Sequence, residues 1–320
     1  MDSQIHGPFV HGAIAMLITP FTPDWSVDLD AVTQVAQLAL DQGASGLAVH
    51  GLASEGYKLL DSERGQIIEA VAKAGTVPLL LAGVDHEATA GSVALARSAA
   101  DAGATAVMAM PPKSSGGNRA RLVEYFCELE TRGGLPVVIQ DAPRASGITM
   151  DAETLVAIIT AFAGPNAVKV EDAIPPLKIA TLTRKLAATT QTALYGGAGG
   201  RRFLDELDAG AIGTMVGPAY IDLFAHLHAK HATSPDATRD MMRDCLELIH
   251  AVEGNEWYAL LQKALLKRAG LITNSGLRPP AIQPDPEYMA GLLAIHDRAA
   301  ARQPHLGAVL NAHAAKAEQR

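Results

Sequence analysis

Cysteine, aromatic residues, long apolar runs and positive charge are all scarce in this chain, and each scarcity removes a class of function. Only Cys127 and Cys245 are present among 320 residues. They stand far apart, each in a helix-like stretch, which excludes a disulfide framework or a cysteine zinc site and fits reduced thiols in a cytoplasm. No run approaches the roughly 18 apolar residues of a membrane span. The opening Met1-Asp2-Ser3-Gln4-Ile5-His6 has no basic segment followed by an apolar one, so no signal peptide is expected. The formal net charge of −8 has the wrong sign for a nucleic-acid or anionic-membrane surface. A soluble, cytoplasmic protein with no nucleic-acid or membrane partner is therefore expected. With aromatics at 4%, Ala, Gly, Val and Leu supply most of the 48% hydrophobic content, as suits helices packed closely on a sheet.

Against this background one charge is out of place. Lys169 lies in the apolar run Asn166-Ala167-Val168-Lys169-Val170-Glu171, with Gly164-Pro165 before it and Pro175-Pro176 after. The run reads as a strand of a parallel sheet, buried on both faces, where an ammonium is costly unless paired. Desolvation favours the unprotonated amine, a nucleophile that can form an imine with a carbonyl. The alternative is a lysine whose stem packs along the strand while its head reaches water at the strand's end. The segment alone leaves both open.

Strand-like and helix-like stretches alternate through the first two-thirds of the chain. Strands are expected at 13–18, 46–50, 78–82, 106–110, 137–140, 167–170, 193–195 and 214–216, and amphipathic helices at 30–42, 62–74, 88–102, 119–131, 151–162 and 202–209. Gly43, Gly103 and Gly210 follow helices and can supply left-handed caps. Eight strands in this alternation imply an α/β fold, a (β/α)₈ TIM barrel, with a C-terminal α-helical extension. A doubly wound sheet also alternates, but a dinucleotide-binding version needs a glycine-rich turn after its first strand, and here Thr19-Pro20-Phe21-Thr22-Pro23 follows. The expected organisation is a barrel carrying the active site over residues 1–230 and a helical extension over 231–320, with helices near 236–252, 256–268 and 286–302. In a barrel, chemistry gathers at the C-terminal ends of the strands. That rule collects His50 with the 51–55 segment, Pro111-Pro112-Lys113, Gln140-Asp141, Lys169 with Glu171, and Gly196-Gly197.

Other patterns weigh less. His226, His228 and His231 do not share one helical face and read as solvated surface, so no metal site is expected. The Gly196-Gly197-Ala198-Gly199-Gly200 stretch could cradle an anion on backbone amides or simply form a tight turn.

The order and spacing of these pieces resemble the dihydrodipicolinate synthase / N-acetylneuraminate lyase family of class I (Schiff-base) lyases. The resemblance is carried by Gly12-Ala13 with Thr19-Pro20-Phe21, by Val49 to Glu55 followed by Leu60-Asp61-Ser62-Glu63-Arg64, and by Ala82-Gly83-Val84. Met110-Pro111-Pro112, Leu135-Pro136-Val137-Val138-Ile139, Val168-Lys169 and Gly210-Ala211-Ile212-Gly213 extend it over nearly the whole chain. It implies that Lys169 is the imine-forming lysine, that the covalent imine makes a separate cofactor unnecessary, and that the assembly is a homotetramer built from barrel dimers.

The chain also departs from the family. Where members carry Gly-Thr-Thr-Gly-Glu or Gly-Ser-Thr-Gly-Glu, it reads Gly51-Leu52-Ala53-Ser54-Glu55, with its one hydroxyl at Ser54. Gln140 stands in place of the proton-relaying tyrosine, Lys113 and Ser114 in place of the second tyrosine, and Ala145 in place of the carboxylate-gripping arginine, with Arg144 one position early. The combination of Ser54-Glu55, Gln140-Asp141-Ala142-Pro143 and Lys169-Val170-Glu171 is similar to the L-2-keto-3-deoxyarabonate dehydratase branch. The expected substrate is a small 2-oxo acid, and the expected reaction is dehydration of a 2-keto-3-deoxy sugar acid. Retro-aldol cleavage to pyruvate and an aldehyde, a synthase-like condensation and a non-catalytic 2-oxo-acid-binding barrel are the alternatives. Lys169, Ser54 and Gln140 are the candidate catalytic residues, with Ser54 able to orient a water and Gln140 able to hydrogen-bond but not to titrate. Gly51, Ala53, Ser54, Glu171, Gly196 and Met215 are the candidate substrate-binding residues. Glu171, two positions after Lys169, shares its strand face and is either a proton carrier or a salt-bridge partner. Glu55 and Asp141 are expected to be structural, satisfying backbone donors of nearby loops.

Overall fold

Eight short stretches dominated by Ala, Val, Leu, Ile and Gly carry too little polar surface to leave either face in water, and all eight are buried as parallel strands. The computed structural model describes residues 7–187, 192–252 and 254–317; residues 1–6, read above for a signal peptide, lie outside them. The strands are β1 (Gly12–Met16), β2 (Gly46–Val49), β3 (Leu80–Gly83), β4 (Ala106–Ala109), β5 (Val137–Asp141), β6 (Asn166–Val170), β7 (Thr192–Gly196) and β8 (Gly213–Val216). They pair in chain order and close with β8 beside β1, the (β/α)₈ barrel expected from the alternation. Along each strand, alternate side chains enter different layers. Ile14, Met16, Ala48, Leu81, Met108 and Val138 fill the barrel interior. Ala15, Leu47, Val49, Ala82, Val107 and Ile139 pack outward against the helices, and burial of each large side chain contributes about 1.5–3 kcal/mol.

The surrounding helices are α1 (Leu29–Asp41), α2 (Asp61–Ala72), α3 (Thr89–Asp101), α4 (Arg119–Gly133), the single turn α5 (Pro143–Ser146), α6 (Ala152–Ala161), α7 (Pro175–Leu186) and α8 (Phe203–Asp208). Asp28, Asn118 and Asp151 cap α1, α4 and α6 by accepting backbone N–H bonds. Gly43, Gly103 and Gly210 take φ values of 87°, 105° and 110°, the left-handed backbone expected past α1, α3 and α8. The Pro175-Pro176 pair does not simply end the sixth strand. It opens α7, because a first-turn proline has the required φ and lacks only an N–H that would have been unbonded.

Beyond the barrel follow α9 (Ile221–His231), α10 (Pro235–His250), α11 (Asn255–Arg268), α12 (Pro286–Arg302) and α13 (Ala308–Ala317). The sequence pattern anticipated α10 to α12 but not α9 or α13, and the three histidines of α9 were expected at a solvated surface. That expectation is corrected. His231 is buried, bonded to Thr238 Oγ1 and Asp208 Oδ1, each at 2.8 Å; His228 Nε2 meets the Ile212 carbonyl at 3.1 Å; and His226 stacks on His305. No group of three or more potential metal-ligating side chains occurs among the described residues. None of the described helices is long and apolar enough to cross a membrane.

The element that most affects the site is α11. It crosses the C-terminal ends of the strands and is tied down at both sides of the barrel mouth. Gly217 N, just after β8, donates to Tyr258 Oη at 2.6 Å, and Ala219 N donates to Gln262 Oε1 at 2.9 Å. On the β2 side, Lys263 Nζ donates to Glu55 Oε1 at 2.5 Å.

Candidate active site

Register brings two of the site residues together. Gln140 on β5 lies directly across from Lys169 on β6, and Lys169 from Tyr195 on β7. Lys169 follows the interior-facing Ala167 by two positions, so its side chain also points inward. It is only 5% exposed, yet it is not an isolated charge. Its Nζ stands 3.1 Å from Glu171 Oε2, Gln140 Nε2 donates to the same oxygen at 2.7 Å, and Ala198 N donates to Glu171 Oε1 at 2.8 Å. Burial pushes the Glu171 carboxyl up, but the Lys169 ammonium and these hydrogen bonds outweigh it and hold it below the ordinary glutamate range.

This cluster lines a cavity of about 300 Å³ at the barrel mouth. Leu52 and Ala53 form one wall, Met215 the floor, and Arg144, Arg201 and Tyr258 the more polar rim. The arrangement gathers an amine and an amide on one carboxylate, with cationic groups also lining the cavity. It suits an anionic carbonyl compound whose carbonyl carbon approaches the amine.

Several expected residues fall elsewhere. Ser54 is 1% exposed and its hydroxyl donates to the Leu17 carbonyl, so it does not reach the cavity. The two residues before it, Leu52 and Ala53, present the apolar wall instead. Gly51 lines a neighbouring cavity of about 550 Å³, together with His50, Arg64, Asp85 and Lys113. The substitution of Lys113 for the family's second tyrosine therefore belongs to that cavity and not to the lysine's. Gly196 faces away from the cavity, towards the helices; it is Gly197 that faces Lys169 and Glu171.

Glu55 and Asp141 are buried, as structural groups would be, but both bind side-chain ammonium groups where loop amides were expected. Glu55 takes Lys263 and Lys58, with one backbone donor, Arg278 N. Asp141 Oδ2 takes Lys178 Nζ at 2.8 Å, and Lys178 also binds Asp172. Burial raises the Asp141 carboxyl to about 6 against the pull of Lys178.

Comparison with known proteins agrees with this geometry. A profile of the Dihydrodipicolinate synthetase family matches residues 9–296. The chain belongs to this family. It is 29% identical over 284 residues to a 4-hydroxy-tetrahydrodipicolinate synthase of Kineococcus radiotolerans, covering 88% of this chain and 90% of the relative. It is 31% identical over 281 residues to the 4-hydroxy-tetrahydrodipicolinate synthase of Xanthomonas axonopodis pv. citri, covering 85% and 88%. Its fold superposes on the crystal structure of dihydrodipicolinate synthase from Rhodopseudomonas palustris with a TM-score of 0.85 and 25% identity, over 91% of this chain and 98% of that one. Members of the dihydrodipicolinate synthetase family are class I aldolase-type lyases that work through a lysine imine, and the chain is an enzyme of this kind.

Within this member of the family, the residues that sequence reasoning missed come mostly from outside the strand ends. Ile249, Val252, Asn255 and Tyr258 of α10, α11 and the link between them line the cavity. The division expected at residue 230 thus does not separate the site from the helical extension. The available signal was the spacing of Tyr258 and Gln262, polar groups about one turn apart on the helix expected near 256–268. Arg201 directly follows the glycine-rich stretch past β7, and its guanidinium donates to the Val252 carbonyl.

Proposed function

We propose that this chain is a hydro-lyase acting on a 2-keto-3-deoxy sugar acid of the L-2-keto-3-deoxyarabonate type, with Lys169 forming the imine. The observation that carries the reading is the Lys169–Glu171–Gln140 cluster: the titratable group at the amine is a carboxylate 3.1 Å away, and an amide occupies the neighbouring strand position. The neutral Lys169 amine attacks the C2 carbonyl, its proton passing to Glu171, and loss of water gives a protonated imine. The imine acidifies C3, where a base removes one proton to give an enamine, and the enamine expels the C4 hydroxyl as water once that oxygen is protonated. Glu171 is the group placed to carry these protons; Gln140 orients it and cannot titrate. Arg144 and Arg201 at the rim favour an anionic substrate. No separate cofactor enters this scheme. The homotetramer implied by the family resemblance and the cytoplasmic setting expected from the composition belong to the same proposal, with sedimentation velocity as the check on assembly.

A second reading is supported by the relatives, which are named as synthases. In it the same enamine adds to an aldehyde instead of expelling a hydroxyl, and the reverse direction is aldol cleavage. Against condensation stand Leu52 and Ala53 where the family places hydroxyls, Gln140 for its tyrosine and Ala145 for its arginine. Incubation with candidate 2-oxo acids and borohydride is expected to leave a reduced adduct on Lys169, absent in Lys169→Ala. Failure of every 2-oxo acid, pyruvate included, to give an adduct would sink both readings. Product analysis separates them: a dehydrated 2-oxo product means elimination, whereas pyruvate plus an aldehyde means cleavage.

A further inference from the structure

Behind β7, on the side of the sheet away from Lys169, sits a carboxyl that the chemistry above leaves unused. Glu206 of α8 is 1% exposed, and its Oε2 has no hydrogen-bond partner among the described residues. Ala193 and Tyr195 of β7 point into the barrel and Leu194 points out, so Gly196 faces the helices and Gly197 faces the lysine. A Cβ at Gly196 would lie 1.7 Å from Glu206 Oε2, and one at Gly197 would lie 2.6 Å from Glu171 Oε1 and 2.7 Å from Lys169 Cε. Two carboxyls therefore press on consecutive glycines from opposite sides. The next residue, Ala198, donates its amide to Glu171. One three-residue turn thus touches both acids and the nucleophile's stem.

The charged groups acting on Glu206 are Glu171 from β6, Asp205 from its own helix and Arg202 just before that helix. Burial first, and then the two acids, push its carboxyl up to about 8, Arg202 opposing, while Glu171 is held low. Neighbouring carboxyls driven in opposite directions divide their labour: one stays ionised and the other keeps its proton.

We propose that Glu206 is a positioning residue for the lysine centre, which as a carboxylic acid seats the 196–198 turn against Glu171 and on losing its proton weakens the centre's reactivity. The proposal rests on the imine chemistry assigned to Lys169. An ionised Glu206 places a second negative charge behind Glu171. That charge raises the proton affinity of the Lys169–Glu171 pair, so less neutral amine is available to attack a carbonyl.

The test compares borohydride trapping of pyruvate at Lys169 in wild type and Glu206→Gln, an amide that cannot ionise, across pH 6 to 9.5. The ratio of the two rates removes every pH effect that the two proteins share and leaves the effect of the Glu206 proton. The ratio is expected to stay within about threefold of unity at pH 7 and to fall by pH 9, by up to about tenfold where the ionised form does not react. Glu206→Met, which is also uncharged and suits the apolar layer, serves the same comparison where the amide variant does not fold. In parallel, carboxyl-¹³C glutamate labelling should show one resonance, missing from the variant, that titrates near 8. A ratio independent of pH, or a Glu206 resonance titrating in the ordinary carboxylate range, overturns the proposal while leaving the imine chemistry standing. Absence of any adduct in wild type overturns the imine chemistry and this role with it.

Discussion

At the scale of single residues, the decisive contact is the 3.1 Å approach of Lys169 to Glu171. A lysine and a carboxylate two positions apart on a buried strand must share a face, so the pair was legible from period-two alternation alone. A salt-bridge partner and a proton carrier would behave differently on neutralisation. Replacing Glu171 by Gln keeps the shape and removes the charge. If Glu171 carries protons, turnover and adduct formation should fall by about 10²–10⁴-fold, the range for loss of an acid/base group. Were it only a counter-ion, the freed amine would form the adduct at least as fast as wild type, and a rapid-quench time course distinguishes the two. Ser54 and Gly196 were less legible for a related reason. Ser54 turns towards the carbonyl of Leu17, just past β1, a partner 37 positions away that no local pattern announces. Gly196 has no side chain to reveal its facing, and one position decides whether it looks at substrate or at α8.

At the scale of elements, the barrel was readable because its strands are apolar on both faces and its helices end in left-handed glycines. The ends were less so: Pro175-Pro176 flanks the sixth strand in the sequence, and its fixed φ also makes it the start of α7. Long-range docking was hidden as well. Lys263 and Glu55 are 208 positions apart and 0% and 1% exposed; a structural role was expected for Glu55, but nothing in the sequence names Lys263 as its partner. Their pairing fastens α11 to the loop after β2, which also carries the Leu52–Ala53 wall of the cavity. Truncating Glu55 to Ala would strand the Lys263 ammonium in the interior, a change that costs about 3–5 kcal/mol. Urea unfolding at pH 7 should register that loss, and a change below about 1 kcal/mol would mean water enters to replace the carboxylate.

At the scale of the whole molecule, buried titratable groups set how stability varies with pH. The folded-state pKa of His50 is lowered by burial, then by Arg64, from 6.5 to about 3. Between those values the unfolded chain binds a proton that the folded one refuses, so its contribution to stability is lost as pH falls from 6.5 towards 3. Glu206 works in the other direction, raised from 4.5 to about 8. Below 4.5 it is protonated in both states; as pH rises to 8 only the unfolded chain releases its proton, and stability declines. Above 6.5 the His50 effect is complete and the Glu206 effect remains. The urea midpoint of the wild type should therefore fall between pH 6.5 and 8, and Glu206→Gln should flatten that fall; a wild-type midpoint constant over the interval contradicts the assignment. The position of α11 carries one more consequence, concerning the order in which a ribosome delivers the chain. Lys169 emerges long before Tyr258 and Lys263, so a nascent chain can already contain all eight strands while the mouth above the lysine lacks one wall. Synthesis of the last strand completes the barrel, but only synthesis of the helices beyond it completes the enclosure in which the lysine works.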